Sequence, residues 1–550
     1  MIPALRELAG GRDTQLGFKD AQRAFKVARA KVEHILEELE RLQELKRQAK
    51  QIQAQRDLIE RYRLEAARLE LWSVKRQARR VGVWPFKHYL AHRMLLRRLR
   101  QKQHRAEKTA ALSKQRADAL ERQLEKARKE NAHLCERYSD ALLPDEALDL
   151  EVPDIQRTSF GHCQVLNQAR AQLTARAFEL HQAWLVAAYD DKSQRLHKTL
   201  FSLMPTINGS VLDRDAAKAL WQMLFMIVPV ISSTFASVAS QFRALKEAEI
   251  GWLFVDEAGQ ATPQQAVGAL WRAKRAVVVG DPLQIEPVFT VPPELVDTLA
   301  KGEFADEWYQ WSPTVTSVQT VADRANPYGT YQIADDLWVG SPLRVHRRCD
   351  EPMFGIANAI AYNGKMLHGN SKLSDGPGNS RWINVAGQVS GKHFVLRQAK
   401  CVHKILLQYI EREKEPPPVY IISPFKAVAS GIRHYLGQHL SGEWFGGQNK
   451  LHSWLKERVG TVHTFQGKQE ERVILVLGLS EDNPGAVEWA ASKPNLLNVA
   501  LTRAKKRIYV VGSVDIWAGK RYFSEAYEQL PVISNSSDVL DTRGDSGRLE

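Results

Sequence analysis

Apolar residues recur at spacings of three, four and seven along the first quarter of the chain. Ile35, Leu39, Leu42, Ala49, Ile52, Ile59, Ala66 and Leu69 form one heptad seam. The stretch VGVWPF, Val81 to Phe86, interrupts it with a Gly and a Pro, which suits a turn. A second seam follows through Ala106, Ala110, Ala117, Leu120, Leu124, Ala127 and Leu134. Alanine at so many seam positions lets two helices approach closely. The pattern predicts an antiparallel coiled-coil hairpin over 21–138, each arm on the order of 75 Å long at 1.5 Å rise per residue. Its tip would display Trp84 and Phe86 among Arg79, Arg80, Lys87 and Arg93. Such a tip either stacks on bases or caps the hairpin's own packing, and the pattern leaves both readings open.

Beyond SDALLPDEALDLEVPD (Ser139 to Asp154), rich in acids and prolines, the pattern stays helical to Ala248 and includes the apolar IVPVIS. The rhythm then changes. WLFVDE, AVVVGD, VYIIS, RVILVLG and RIYVVG are short continuous apolar runs separated by helical stretches. Runs of that kind read as buried strands of parallel sheets covered by helices, an α/β architecture. KEPPP (Lys414 to Pro418) and GNSKLSDGPGNS (Gly369 to Ser380) read as loops. The expected organisation is an N-terminal segment 1–20, a helical hairpin 21–138 and a first α/β lobe with helical parts over 139–340. A second lobe over 341–525 and a polar, disordered tail over 526–550 complete it.

Charge changes the picture at one place. Residues 21–140 hold 31 Lys+Arg against 16 Asp+Glu, a net of +15, while the whole chain of 550 residues carries +14. The hairpin therefore carries the whole excess. Such a footprint suits nucleic acid, although an Arg-rich solvated helix surface gives the same count. The four cysteines (Cys135, Cys163, Cys349, Cys401) lie far apart without a C-x-x-C pair, which disfavours a zinc site or disulfide scaffold and suits a reducing cytosol. No signal-peptide pattern opens the chain, and the longest apolar run, Met223 to Ile231, is too short for a bilayer. The expectation is a cytoplasmic protein without a membrane partner.

In WLFVDEAGQA a strand ends at Asp256–Glu257. At the carboxyl end of a parallel strand a first acid can hold Mg²⁺ and a second can polarise a water. AVVVGDPLQIEPV (Ala276 to Val288) ends a second strand at Gly280–Asp281, followed by Gln284, whose amide can sense a phosphate. These motifs resemble the second (DEAGQ) and third (GDPLQIEP) motifs of superfamily 1 nucleic-acid helicases, in the branch related to the nonsense-mediated-decay helicase. SPLRVHRRCDEPMFGIANAIAYNGKM (Ser341 to Met366) resembles the fourth, VGTVHTFQGKQEERVILVLG (Val459 to Gly478) the fifth and LNVALTRAKKRIYVVG (Leu497 to Gly512) the sixth. ISSTFASV (Ile231 to Val238) resembles the strand-and-loop motif that precedes the second. All stand in the family's order.

The resemblance implies two RecA-like lobes around ATP and Mg²⁺. Asp256 would hold the metal, Glu257 would act as general base for the attacking water, and Gln284 would contact the γ-phosphate. Arg348 and Arg503 would reach across from the second lobe as arginine fingers; Arg347 stands beside the first. Gln260, Gly467 and Glu470 would line the nucleotide. Ser232, Thr234, Thr461 and His463 would touch the backbone of DNA or RNA, since hydroxyls bind phosphate without reading sequence. The basic hairpin stands where the family carries a shorter nucleic-acid-binding stalk.

One motif is absent. A phosphate-binding loop needs G-x-x-x-x-G-K-[ST], and the four Gly-Lys pairs here are followed by Met366, His393, Gln469 and Arg521. The expectation is the C-terminal portion of an ATP-driven helicase, inactive alone and dependent on an upstream polypeptide that carries the loop. Its first lobe would expose an apolar sheet edge. A non-catalytic nucleic-acid- or protein-binding protein on a degenerate helicase body is the alternative. Retention of Asp256, Glu257, Gln284, Arg348 and Arg503 speaks against it.

Overall fold

The computed structural model describes residues 14–80, 89–144, 148–158, 162–191, 196–208, 210, 213–288, 291–369, 379–465 and 467–534. The expected hairpin tip at Trp84 and Phe86, most of the 369–380 loop and the tail beyond 534 lie outside them. The chain divides into two compact units, Met1–Leu200 and Phe201–Glu550.

Three long helices dominate the described part of the first unit, α1 (Thr14–Arg80), α2 (Tyr89–Arg137) and α3 (Gln164–Asp190). Glu38 of α1 accepts from Arg137 at 2.9 Å, and Arg56 pairs with Glu121 at 3.2 Å. Partners that recede on one helix as they advance on the other make α1 and α2 antiparallel. Ile35, Leu39 and Leu42 of the first seam are buried with Leu134 and Tyr138, as the spacing predicts. The seam has a second partner that the heptad reading did not contain. Leu166 and Ala169 of α3 join the same cluster, and Lys31 reaches Gln172 while Thr14 reaches Asp190. The first half of α1 therefore sits in a three-helix arrangement.

In the second unit a short helix at Leu203–Ile207 precedes α4 (Arg214–Ile227), which is capped by Asp213, whose carboxylate accepts the Ala216 N–H at 2.6 Å. Residues 228–234 follow without regular structure, so the expected strand at the start of ISSTFASV is not formed, and α5 (Phe235–Gln241) succeeds it. No neighbouring strand pairs with this stretch among the described residues. Next come β1 (Leu253–Val255), α6 (Pro263–Arg272) and β2 (Ala276–Val278). Thr262 and Gln265 form a capping box at the start of α6, with Pro263 at its first turn. The strands pair in parallel, Phe254 opposite Val277. One face of this pair packs on Ala258, Ala266 and Val318 through Val255 and Leu253. The other face presents Trp252, Phe254, Val277 and Val279, all exposed. Here the expectation of strands buried on both faces fails: among the described residues this sheet has two strands and a cover on one face. Helices α7 (Pro293–Phe304) and α8 (Val318–Ala325) follow.

The largest sheet among the described residues of this unit is six-stranded and wholly parallel; the other pairings there are two-stranded. After α9 (Met353–Ala361) come β3 (Arg381–Asn384), α10 (Leu396–Glu413), β4 (Val419–Ser423), α11 (Lys426–His439) and α12 (Gln448–Arg458). Then β5 (Val459–Thr461), β6 (Glu470–Val476), α13 (Asn495–Arg503), β7 (Ala504–Gly512) and β8 (Val532–Ile533) complete it. The spatial order is β5-β4-β6-β7-β3-β8. Here the continuous apolar runs behave as read: Ile421, Ile474, Leu475, Val510 and Val511 are enclosed between helices, with Ile405 and Leu406 of α10 packed in the same core. Each such side chain contributes about 1.5–3 kcal/mol relative to exposure. No described helix is long and apolar enough to cross a membrane.

Candidate nucleotide site

The turn after β1 approaches the loop before β6 and the end of α13, and Glu257, Gln260, Gly467 and Arg503 lie there. Asp256 and Glu257 leave β1 into a 3-10 turn over Ala258–Gln260. Glu257 adopts a left-handed backbone at φ 53°, a conformation that side-chain-bearing residues avoid and that functional turns commonly hold. Asp256 accepts the Glu257 N–H at 3.0 Å, and Gln260 donates to Glu257 at 3.2 Å. Two glycines let the two motif loops touch. A Cβ on Gly280 would lie 2.9 Å from the Ala258 nitrogen, and one on Gly259 would lie 2.9 Å from the Asp281 carbonyl oxygen. Any larger residue at either position would force the loops apart.

The elements around the six-stranded sheet contribute Gly467 and Arg503. Gly467 takes φ +77°, and a Cβ there would approach the Glu257 carboxylate at 3.9 Å. Arg503, the last residue of α13, is fully buried. Its guanidinium donates to the carbonyls of Val499 and Lys468, each at 3.2 Å, and to the Thr502 hydroxyl at 3.3 Å. Burial pushes its pKa down, as does the charge of Arg348, while the Glu257 carboxylate pulls it up. Glu257, Gln260, Gly467, Arg503 and the Arg348 charge are thus brought into one neighbourhood.

Arg348 itself is exposed on a tightly pinned loop. His346 Nε2 accepts the Cys349 N–H at 3.1 Å and lies 2.9 Å from its thiol; His368 reaches the Cys349 carbonyl at 3.1 Å. Burial, with Arg348 and His368 nearby, lowers the His346 pKa to about 4, so the ring is neutral and able to accept. Burial pushes the Cys349 thiol up to about 12, which makes it a structural thiol rather than a nucleophile. Arg347 turns instead to the Gly369 carbonyl at 3.3 Å. The pair is thereby distinguished: Arg347 is tied to the loop, and Arg348 lies in the field of Arg503.

Gln284 sits in the same cleft but is held by its neighbours. Its amide donates to Asp281 at 3.0 Å, and Asp281 in turn accepts from the Tyr362 hydroxyl at 2.5 Å. Tyr362 and Asn498 stand inside the quoted motifs and Asn495 two residues ahead of one, yet nothing in the sequence singles them out; their role depends on contacts across the cleft. Glu470 pairs with Arg458 of α12. Ser232 and Thr234 are exposed in the irregular stretch before α5, with Thr234 bonded to Ser237 at 3.1 Å. Thr461 shares a hydrogen bond with Thr464 at 3.1 Å, and His463 is exposed beside it.

Among the described residues no group of three or more His, Cys, Asp or Glu side chains is placed to hold a metal. Asp256 presents a single carboxylate at the end of β1.

Residues 15–291 and 341–515 match two family models, each described as an AAA domain, and the first alone spans half the chain. The "ATP-dependent helicase upf1" of Schizosaccharomyces pombe is 23% identical over 389 residues, 68% of this chain and 38% of that protein. The "Regulator of nonsense transcripts 1 homolog" of Drosophila melanogaster is 31% identical over 138 residues, 24% of this chain and 11% of that protein. The "DNA replication ATP-dependent helicase/nuclease DNA2" of Gallus gallus is 23% identical over 310 residues, 53% and 26% of the two chains. The match thus spans between about a tenth and two fifths of these relatives' own lengths. With both models in order along the chain and the motif residues gathered at one cleft, the chain belongs to the superfamily 1 helicases related to the nonsense-mediated-decay helicase.

Proposed function

We propose that the chain is the C-terminal portion of an ATP-dependent helicase or translocase that moves along DNA or RNA. The approach of Glu257 on the first lobe to Gly467 and Arg503 on the second carries this reading. A general base and an arginine on opposite walls are what hydrolysis of a γ-phosphate requires. Asp256 would hold Mg²⁺, Glu257 would take the proton of the attacking water, and Arg348 and Arg503 would neutralise charge developing on the phosphoryl oxygens. Gln260 and Gly467 border the same space. Glu470 would reach a nucleotide sugar only by leaving Arg458. Ser232, Thr234, Thr461 and His463 would follow a nucleic-acid backbone, and the basic helices over 21–138 would extend that surface.

The half-site supplies acids, amides and arginines but no glycine-rich loop or its lysine within the 550 residues. In this reading the phosphate cradle comes from another polypeptide segment. The uncovered Trp252–Phe254 face of β1 and β2 supports that reading, because parallel strands are ordinarily covered on both faces. Filter binding to single-stranded DNA and RNA, with and without an ATP analogue and Mg²⁺, tests it. The isolated chain should bind through its basic helices without regard to nucleotide, and a polypeptide carrying the loop should add nucleotide dependence that Glu257→Gln and Arg503→Met modify. Nucleotide dependence never appearing with a loop-bearing polypeptide would favour a non-catalytic binding protein.

A further inference from the structure

The loop after β2 leaves the two-stranded sheet, yet its side chains are built into the core around the six-stranded one. Ile285 is buried within the second lobe's core, and Leu283 packs against the same cluster. Around them runs a directional chain of hydrogen bonds. Asn498 Nδ2 donates to the Tyr362 hydroxyl at 2.8 Å and to the Leu283 carbonyl at 3.0 Å. The Tyr362 hydroxyl donates onward to Asp281 Oδ2 at 2.5 Å. Asp281 also receives the Gln284 amide at 3.0 Å and, through Oδ1, the Leu283 N–H at 2.9 Å. Asn495 donates to the Gln284 carbonyl, and Lys493 pairs with Glu286 at 2.5 Å on the rim.

We propose that Tyr362 and Asn498 are positioning residues: they latch the Asp281–Gln284 loop of the first lobe to α13, the helix that ends in Arg503. The latch is made wholly of protein groups. Burial and the Asp281 carboxylate hold the Tyr362 phenol well above its ordinary pKa, so it remains a donor to Asp281 across the physiological range. Asn498 is fully buried, and its amide reaches both the loop backbone and the phenol. Loop and helix therefore move as one piece while the latch holds. Opening the cleft has to break the Tyr362–Asp281 bond or withdraw Ile285 from the core. This consequence for Gln284 and Arg503 rests on the proposed function; the latch itself does not.

The test uses the full chain without nucleotide or nucleic acid. Spin labels go on Lys274→Cys in the first lobe and Lys456→Cys in the second, both exposed, in a Cys135→Ser background; the other three cysteines are buried. Tyr362→Phe keeps the ring and removes the hydroxyl. We expect its distance distribution to broaden relative to the parent, and hydrogen-exchange protection at the Leu283 and Gln284 amides to fall ~10–100-fold, as for loss of a hydrogen bond to a charged group. Protection of Ile474 and Val510, deep in the second lobe, should stay unchanged, which separates unlatching from general unfolding. Asn495→Ala, at the edge of the network, should give a smaller change in the same direction and serves if Tyr362→Phe does not fold. Unchanged distances and protection in whichever variant folds would overturn the latch. A latch that holds in a chain whose nucleic-acid binding stays independent of nucleotide even with a loop-bearing polypeptide would leave it standing and remove the proposed function.

Discussion

Phe254 should be nearly dispensable to the strand that carries it. It sits on the bare face of β1 with 68% of its surface exposed, whereas its neighbour Val255 is 3% exposed. Full burial of a phenylalanine side chain is worth about 2–3 kcal/mol, so the third of it that is covered contributes about 1 kcal/mol or less. At 1.4 kcal/mol per tenfold, Phe254→Gln should lower exchange protection less than ~5-fold. The amides to follow are Leu253, bonded to the Arg275 carbonyl at 2.9 Å, and Val279, bonded to the Val255 carbonyl at 2.8 Å. Val255→Ala removes two buried methyls and leaves a cavity; about 2 kcal/mol, or ~30-fold, is expected there. Phe254→Gln should also reduce self-association seen by light scattering, because it removes part of an apolar patch. A ~30-fold loss of protection in Phe254→Gln, matching Val255→Ala, would mean that the face is covered in solution, and the argument for a missing segment would fail.

Three further outcomes follow from the site and the charge distribution. Arg503→Met should change the thermal stability of the second lobe by less than about 1.5 kcal/mol, because its hydrogen bonds run to neutral oxygens and the substitution removes a desolvated charge; a loss above about 4 kcal/mol would make it a structural arginine. His346, lowered to about 4 from an unfolded value near 6.5, favours the fold while neutral; stability should be complete above pH 6.5 and decline as pH falls towards 4, by at most about 3 kcal/mol. Melting curves between pH 7 and 4.5 read this, and a slope unaltered by His346→Asn would refute it; below pH 4.5 the loss of Glu249, held near 2 chiefly by its hydrogen bond to Lys218, adds a second decline. Nucleic-acid binding should fall steeply with salt, and charge-neutralising substitutions among the exposed Lys and Arg of α1 and α2 should flatten the slope; a salt-independent affinity would mean the basic face is only solvated.

The second-lobe sheet was legible because strands buried on both faces leave an unmistakable trace: VYIIS, RVILVLG and RIYVVG have no polar alternation to confuse them. The cleft was legible through motif order, which brought Glu257, Gly467 and Arg503 to one place. Contacts between distant segments were not. Nothing local to Leu166 or Ala169 announces that α3 shares the seam of α1, and nothing in QIEP says that Ile285 belongs to the other lobe's core. Glu470 reads as a free acid until Arg458 is found beside it. WLFVDE and AVVVGD gave strands as read, but burial is a property of what lies opposite, and one face of this pair has no described cover.

Hydrolysis of Mg·ATP by the purified chain, with and without single-stranded DNA or RNA and with Glu257→Gln as control, tests the central claim most directly. The account predicts that the chain alone shows no turnover above the control, because its cleft has the acids and arginines but not the phosphate-binding loop. Nucleic-acid-stimulated turnover that disappears in Glu257→Gln would show a complete site within these residues and contradict it.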